Sequence, residues 1–282
     1  MKKCITFLVI LVIVIGTTSH ISIAAAESNA KLRQRVSAND EVITSDITEE
    51  IRFGREVAAR IIARFGMYND PILMKYVNLV GNVLVMSTNR PEIEFHFAIL
   101  NTEEINGYAA PGGYIFVTRG ALAKMQDESE LAGVLAHEIG HVVEKHAIKE
   151  LNIKGQDTST ISGLAMIIGG SSESARMAFS QAVDKALDLL FKDGYKREDE
   201  IQADRDAVLF CALSGYAPTG LSRYFERINS VKGKQIEILD KTHPSFSDRI
   251  AWINGTIKVE GIDSGNYKTS KDRFSENVKM LK

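Results

Sequence analysis

With 282 residues, 45% of them hydrophobic and 25% charged, the chain has an ordinary globular composition and enough length to bury a substantial core. A net charge of −2 excludes the basic surface that nucleic-acid binding requires. No repeat of about 20 to 50 residues points to a solenoid or propeller.

In chain order, MKKCITFLVILVIVIGTTSHISIAAAES comes first and reads as a secretory signal. Lys2 and Lys3 form its positive end, residues 5–16 its apolar stretch and Ala24-Ala25-Ala26 its cleavage site. The apolar stretch is about half the roughly 20 residues that a spanning helix needs, and an uncleaved anchor is the alternative. Removing residues 1–26 takes the basic count from 34 to 32 against 36 acidic residues, a net charge of −4. Cys4 departs with the signal, so the mature chain keeps only Cys211 and has no disulfide framework. The protein is expected to be exported and periplasmic, with membrane association left open.

Residues 27–44 form a flexible lead, and Asp46 with Glu49 marks a helix start that runs to about Phe65. A second helix, about 71–87, follows the turn Asn69-Asp70-Pro71. EIEFHFAIL (92–100) alternates, with Ile93, Phe95, Phe97 and Ile99 on one face of a half-buried strand and His96 on its surface side. INGYAAPGGYIFVTRG (105–120) reads as two short strands joined by Pro111-Gly112-Gly113. Asp127 and Glu130 cap a long helix that carries VLAHEIGHVVEKHA, residues 134–147. Residues 152–172 read as a loop or lid. Further helices are expected at about 173–191, 197–215, 218–230 and 245–256. The order predicts a mainly helical α+β domain over 45–256, with a small sheet and a polar C-terminal tail over 257–282 that has room for a helix.

His137 and His141 are four residues apart, so a helix puts both on one face, where two neutral imidazoles can chelate one zinc ion. Glu138 sits about 100° further round, beside such an ion, where it can take a proton from water. His146 is nine residues from His137, which on a continuous helix is the opposite side, and is read as a structural histidine. A catalytic zinc site needs a third protein ligand. The candidates lie in KREDEIQADRDAVLFCALSG (196–215), where Glu200 and Asp204 share an inward face with Ala203, Ala207, Val208 and Cys211. Asp199, Gln202, Arg205 and Asp206 fall on the outer side. Zinc for Glu200 and a histidine N–H for Asp204 would satisfy both carboxylates, and ordinary salt bridges are the plainer alternative. His243, before Pro244 and after a polar loop without helical period, reads from position alone as a surface residue.

This ordered set (NGYAAPGGYIFVTRGAL, HEIGHVVEKHA, REDEIQADRDA and HPSFSDRI) resembles the gluzincin metalloproteases of the CAAX prenyl protease and HtpX family, in their soluble periplasmic BepA-like or LoiP-like branch. The resemblance runs from about Asp46 to Trp252. It implies one zinc ion on His137, His141 and Glu200, with Glu138 as general base and Asp204 behind a ligand. It implies a cleft edge around Asn106, Tyr108 and Ala109, where an extended protein or peptide substrate adds as a strand. It also implies that His243 lies over the metal, either donating to the oxyanion or filling the open position until substrate arrives, with Arg249 assisting. Three departures stand out: the 282 residues contain neither membrane-spanning segments nor tetratricopeptide repeats, and residue 107 is Gly where the family usually has Ala. The expected function is an exported zinc endopeptidase acting on misfolded or misassembled envelope proteins. The alternative is a chaperone-like binding module on the same fold with little proteolysis.

Overall fold

A computed structural model of the chain describes residues 44–151, 172–231 and 233–281. The expected signal segment, nearly all of the flexible lead and the loop over 152–171 lie outside the described residues.

Helix α1 (Thr44–Phe65) begins two residues before the expected cap at Asp46 and buries Phe53, Val57 and Ile61. Helix α2 (Pro71–Val85) starts where its sequence says it should. Asp70 Oδ1 accepts from the amides of Ile72 and Leu73, each at 3.0 Å, and Pro71 sits at the first helical position, where no amide donor is missed.

The sheet has three strands: β1 (His96–Leu100), β2 (Gly107–Ala110) and β3 (Tyr114–Thr118), in spatial order β1-β3-β2. Strand β3 pairs parallel with β1 and antiparallel with β2, so β2 is an edge. Ile93, Phe95, Phe97 and Ile99 are all buried, as their alternation predicts. The ladder nevertheless begins only at His96, because its five-residue partner starts opposite it at Tyr114. His96 stays exposed and stacks on the Tyr114 ring. Between β2 and β3, Gly112 has φ 72° and packs on α1, a backbone conformation that a side chain would strain.

After α3 (Arg119–Lys124), helix α4 (Glu128–Val143) is buried from end to end. Asp127 Oδ1 accepts from the Glu130 amide at 3.1 Å, the expected cap. The helix expected to continue through Ala147 stops early. Lys145 adopts φ 57°, and the chain restarts as α5 (His146–Glu150). Helix α6 (Glu173–Asp188) runs into a π-helical turn, Leu189–Asp193, and is followed by α7 (Arg197–Leu213), α8 (Gly220–Ile228), α9 (Glu237–Thr242), α10 (Phe246–Val259) and α11 (Lys271–Asn277). Helix α9 occupies the segment before His243 that shows no helical period in sequence. It is six residues long, too short for a period to register, and is held by buried Leu239 and Thr242.

Helix α4 is the axis of the fold. It contacts α2, β2, β3 and α8, and packs most extensively against α7. The α4–α7 approach is close: a methyl group at Gly140 would lie 3.2 Å from Ala203 Cα. Asp206 lies in the same seam, its Cβ 3.3 Å from where that methyl group would be. That corrects one expectation, since Asp206 is buried rather than outward. Cys211 is buried and unpaired, and burial pushes its thiol up to about 12. In the segment expected as a tail, Phe274 and Val278 are buried, Phe274 facing Tyr76, and Arg273 pairs with Glu128. The molecule is a mainly helical α+β fold with a small mixed sheet. Among the described residues no helix is long and apolar enough to cross a membrane.

Candidate metal centre

Two helices supply the site. His137, Glu138 and His141 come from α4, which stays straight there because its cap, apolar flanks and lack of interior proline all favour helix. Glu200 and Asp204 come from the first turns of α7, both fully buried. The four-residue spacings act as periodicity predicts, and the α4–α7 packing turns the two faces toward each other.

His137 Nε2 and His141 Nε2 lie 3.0 Å apart. Glu200 Oε1 is 3.5 Å from His141 Nε2, and Glu200 Oε2 is 3.8 Å from His137 Nε2. Glu200 Oε1 is buried and makes no hydrogen bond. A buried carboxylate oxygen without a donor, facing the His141 imidazole nitrogen, is a costly arrangement that a divalent cation would satisfy. The His/His/Glu donor set suits zinc.

The surroundings favour the uncharged form of His137 and the charged forms of Glu200 and Asp204. Burial, and then the Arg249 charge, push His137 down to about 4. Burial alone would raise Glu200, but His243 and Arg249 hold it well below the ordinary range. Asp204 is likewise lowered, with Arg249 outweighing burial. Asp204 Oδ1 sits 2.9 Å from His137 Nδ1 and 2.5 Å from Arg249 Nη2. A proton on His137 Nδ1 shared with Asp204 leaves Nε2 unprotonated, with Arg249 Nη2 3.2 Å from it. Arg249 is buried, rests over the Phe225 ring at 4.3 Å and comes within 3.6 Å of Glu200 Oε2.

Glu138 is buried, and burial followed by the Glu200 charge pushes it up to about 8. Its carboxylate lies against β2: a methyl group at residue 107 would sit 2.6 Å from Glu138 Oε1. A side chain at residue 107 would make the Glu138 carboxylate shift.

His243 caps the end of α9, with Nδ1 2.7 Å from Glu200 Oε2. Its ligand atom joins those of His137 and Glu200 within a 4.8 Å cluster, so His141 and His243 are alternative or joint third corners on a shared His137–Glu200 pair. The surface position expected from sequence alone is thus corrected: short helix α9 delivers this histidine to the centre.

The substrate-edge residues separate. Asn106 and Gly107 line one cleft with His137, Glu138, His243 and Arg249, beside an apolar wall of Val134, Leu221, Tyr224, Phe225 and Leu239. Ala109 faces a different hollow with His141 and Tyr195. The Tyr108 side chain points into the core, packing between Phe65 and Phe191, so only its backbone remains for a substrate. Alternation along β2 turns Tyr108 away from the face that Gly107 and Ala109 share.

Sequence reasoning missed two neighbours of His141. His146, placed on the far side by helical arithmetic, lies instead with Nδ1 2.9 Å from His141 Nδ1, because the helix breaks at Lys145. It is fully buried, as a structural histidine should be, and burial pushes it down to about 3. Tyr195 stacks on the His141 ring at 4.2 Å. Nothing in the local pattern signals either contact.

The sequence profile described as Peptidase family M48 matches residues 71–257, more than half of the chain. The Beta-barrel assembly-enhancing protease of Escherichia coli (strain K12) is 28% identical over 217 residues, covering 74% of this chain and 44% of that protein. Metalloprotease YcaL of the same organism is 23% identical over 242 residues, covering 86% of this chain and 89% of that protein. Mitochondrial metalloendopeptidase OMA1 of Schizosaccharomyces pombe is 24% identical over 239 residues, covering 82% of this chain and 67% of that protein. The chain spans less than half the length of the beta-barrel assembly-enhancing proteases it matches.

Proposed function

This chain belongs to peptidase family M48, and from that premise we propose that it is a zinc-dependent endopeptidase of the cell envelope. The observation that carries the proposal is the convergence of His137, His141 and Glu200 donors beside a buried Glu138, on the wall of an apolar cleft. His137, His141 and Glu200 would hold one zinc ion, with Asp204 fixing the His137 tautomer. Zinc bound there supplies a Lewis acid that polarises the scissile carbonyl and lowers the pKa of the attacking water.

The remaining work falls to the chain. Held ionised by the charge of a bound cation, Glu138 would take a proton from the attacking water and return it to the leaving amine, beside the edge strand at Gly107. The substrate lies extended along β2, whose outer side no strand among the described residues occupies, and pairs through backbone groups from Asn106 to Ala109. Phe225, Leu239, Leu221 and Val134 favour a large apolar side chain next to the scissile bond. Arg249 keeps Asp204 and Glu200 charged in a buried setting. His243 would be a further ligand for the ion when no substrate is bound, a reading supported by its place in the His137–Glu200 cluster.

Residues 1–26 would direct export and 27–44 would link to the protease domain over 45–256. The matched relatives named for beta-barrel assembly support envelope proteins as the substrate class, with misfolded or misassembled ones exposing the apolar segments that the cleft accepts. A chaperone-like module that binds without cutting would not need Glu138 at this position. Metal-loaded protein should cleave casein or quenched apolar peptides, and Glu138→Gln should abolish cleavage while keeping zinc near one per chain. Wild-type turnover in that variant would overturn the general-base role.

A further inference from the structure

We propose that His146 is a positioning residue that fixes the tautomer and ring plane of His141, as a neutral-imidazole counterpart of the Asp204–His137 pair. The inference rests on the metal-centre reading above and extends it to a residue outside the ligand set.

For His141 to bind a cation, its Nε2 must be bare, since that atom faces His137 Nε2 and Glu200. The His141 proton then sits on Nδ1, where it needs an acceptor. The atom it meets is His146 Nδ1, 2.9 Å away in a fully buried pocket. Only one proton fits between two ring nitrogens at that distance, so His146 must accept there and carry its own proton on Nε2. That nitrogen faces two acceptors on α7, Gln202 Oε1 at 3.5 Å and Asp199 Oδ1 at 3.6 Å. Every proton in the chain from α7 through His146 to His141 therefore has one consistent position, and that position leaves His141 Nε2 free.

Two further features hold the arrangement. The Tyr195 ring stacks on His141 with an interplanar angle of 18°, which blocks rotation out of the chelating plane. The break at Lys145 brings His146 back beside His141; on an unbroken helix five residues would set the two about 140° apart. The two histidine ligands are thus supported differently: His137 by a carboxylate paired with Arg249, His141 by an uncharged imidazole.

The test compares zinc affinity, by chelator competition, and apo-protein melting in His146→Leu, His146→Asn and Ile148→Ala. Leucine matches the volume without an acceptor; asparagine puts an oxygen near the place of Nδ1. Ile148, buried on the same short helix, controls for loss of packing. Zinc binding should weaken about 10- to 100-fold in His146→Leu and stay within about threefold of wild type in His146→Asn. Ile148→Ala should melt earlier with unchanged affinity. Should His146→Leu fail to fold, 15N spectra of zinc-loaded wild-type protein answer the same question. They should show His146 protonated on Nε2 and a nitrogen–nitrogen coupling between the two Nδ1 atoms. Wild-type affinity in His146→Leu, equal losses in the Leu and Asn variants, or a proton on His146 Nδ1 would each overturn the proposal while leaving the metal centre standing. Failure of the wild-type protein to take up zinc would overturn both.

Discussion

Asp206 shows how a single buried carboxylate shapes behaviour away from the chemistry. One of its oxygens has no hydrogen-bond partner, and burial, reinforced by Glu144 and opposed by Arg205, pushes it up to about 8. Its folded value is raised above the ordinary aspartate value, so its contribution to stability is intact at acid pH and lost as pH rises toward and through about 8. Asp206→Asn removes that loss. The variant should gain on the order of 1–3 kcal/mol over wild type at pH 8.5, and distinctly less at pH 5. Melting curves at the two pH values decide it, and an equal difference at both would contradict the raised value. His243 makes a second case at this scale. If it holds the open metal position at rest, His243→Ala should raise basal casein cleavage severalfold with zinc content retained, whereas a fall in kcat would assign it the donor role instead.

At the level of elements, the chemistry depends on how α4 is pinned at its N-terminus. Glu130 is fully buried, yet it receives Arg227 Nη1 at 2.6 Å, Arg227 Nη2 at 2.7 Å and the Gln126 amide at 2.9 Å. Arg223 joins through Asp127 at 2.6 Å, tying α8 to the start of α4. Glu128 does the same toward α2 and α11 through Tyr76 and Arg273. The side-chain pair expected from the D-x-x-E pattern thus has a second use, because Glu130 turns outward from its own cap to gather two arginines. Glu130 is buried but Arg227 is 27% exposed and can turn to water, so Glu130→Ala should cost about 2–3 kcal/mol. The corresponding fall in melting temperature is on the order of 10 °C. A loss below about 1 kcal/mol would mean that the arginines find water as good a partner.

For the whole molecule, the metal and the fold are coupled. Glu200, Asp204, His137, His141 and Arg249 put several polar groups at the centre of one core, and without a cation Glu200 Oε1 has no hydrogen-bond partner. Zinc bound only by the native state stabilises it by mass action, about 4 kcal/mol at a thousandfold excess over Kd. Chelation should therefore lower the melting temperature by several degrees, and added zinc should restore it. In Glu200→Ala that zinc-dependent shift should collapse, in Asp204→Ala it should shrink, and in exposed Glu198→Ala it should persist. Identical shifts in all three would disprove the assigned helix face.

What the amino-acid sequence determined by itself is what depends on short-range periodicity and local hydrogen bonding. The caps at Asp70 and Asp127 follow from local hydrogen bonding, and the apolar face of EIEFHFAIL and the two i, i+4 pairs on α4 and α7 from a repeat of 2 or 3.6 residues. Tertiary structure decided what no repeat encodes. The left-handed turn at Lys145 returns His146 to the site, and a lysine carries no mark of that conformation. A six-residue helix, stable only through packing, brings His243 to Glu200. The α4–α7 seam is wide enough to bury Asp206 beside Gly140, on a face that helical arithmetic leaves to solvent. The meeting of α4 and α7 itself rests on Gly140 lying against Ala203, a contact between residues far apart in the chain. Local sequence sets which side chains share a face; only long-range packing sets which faces meet.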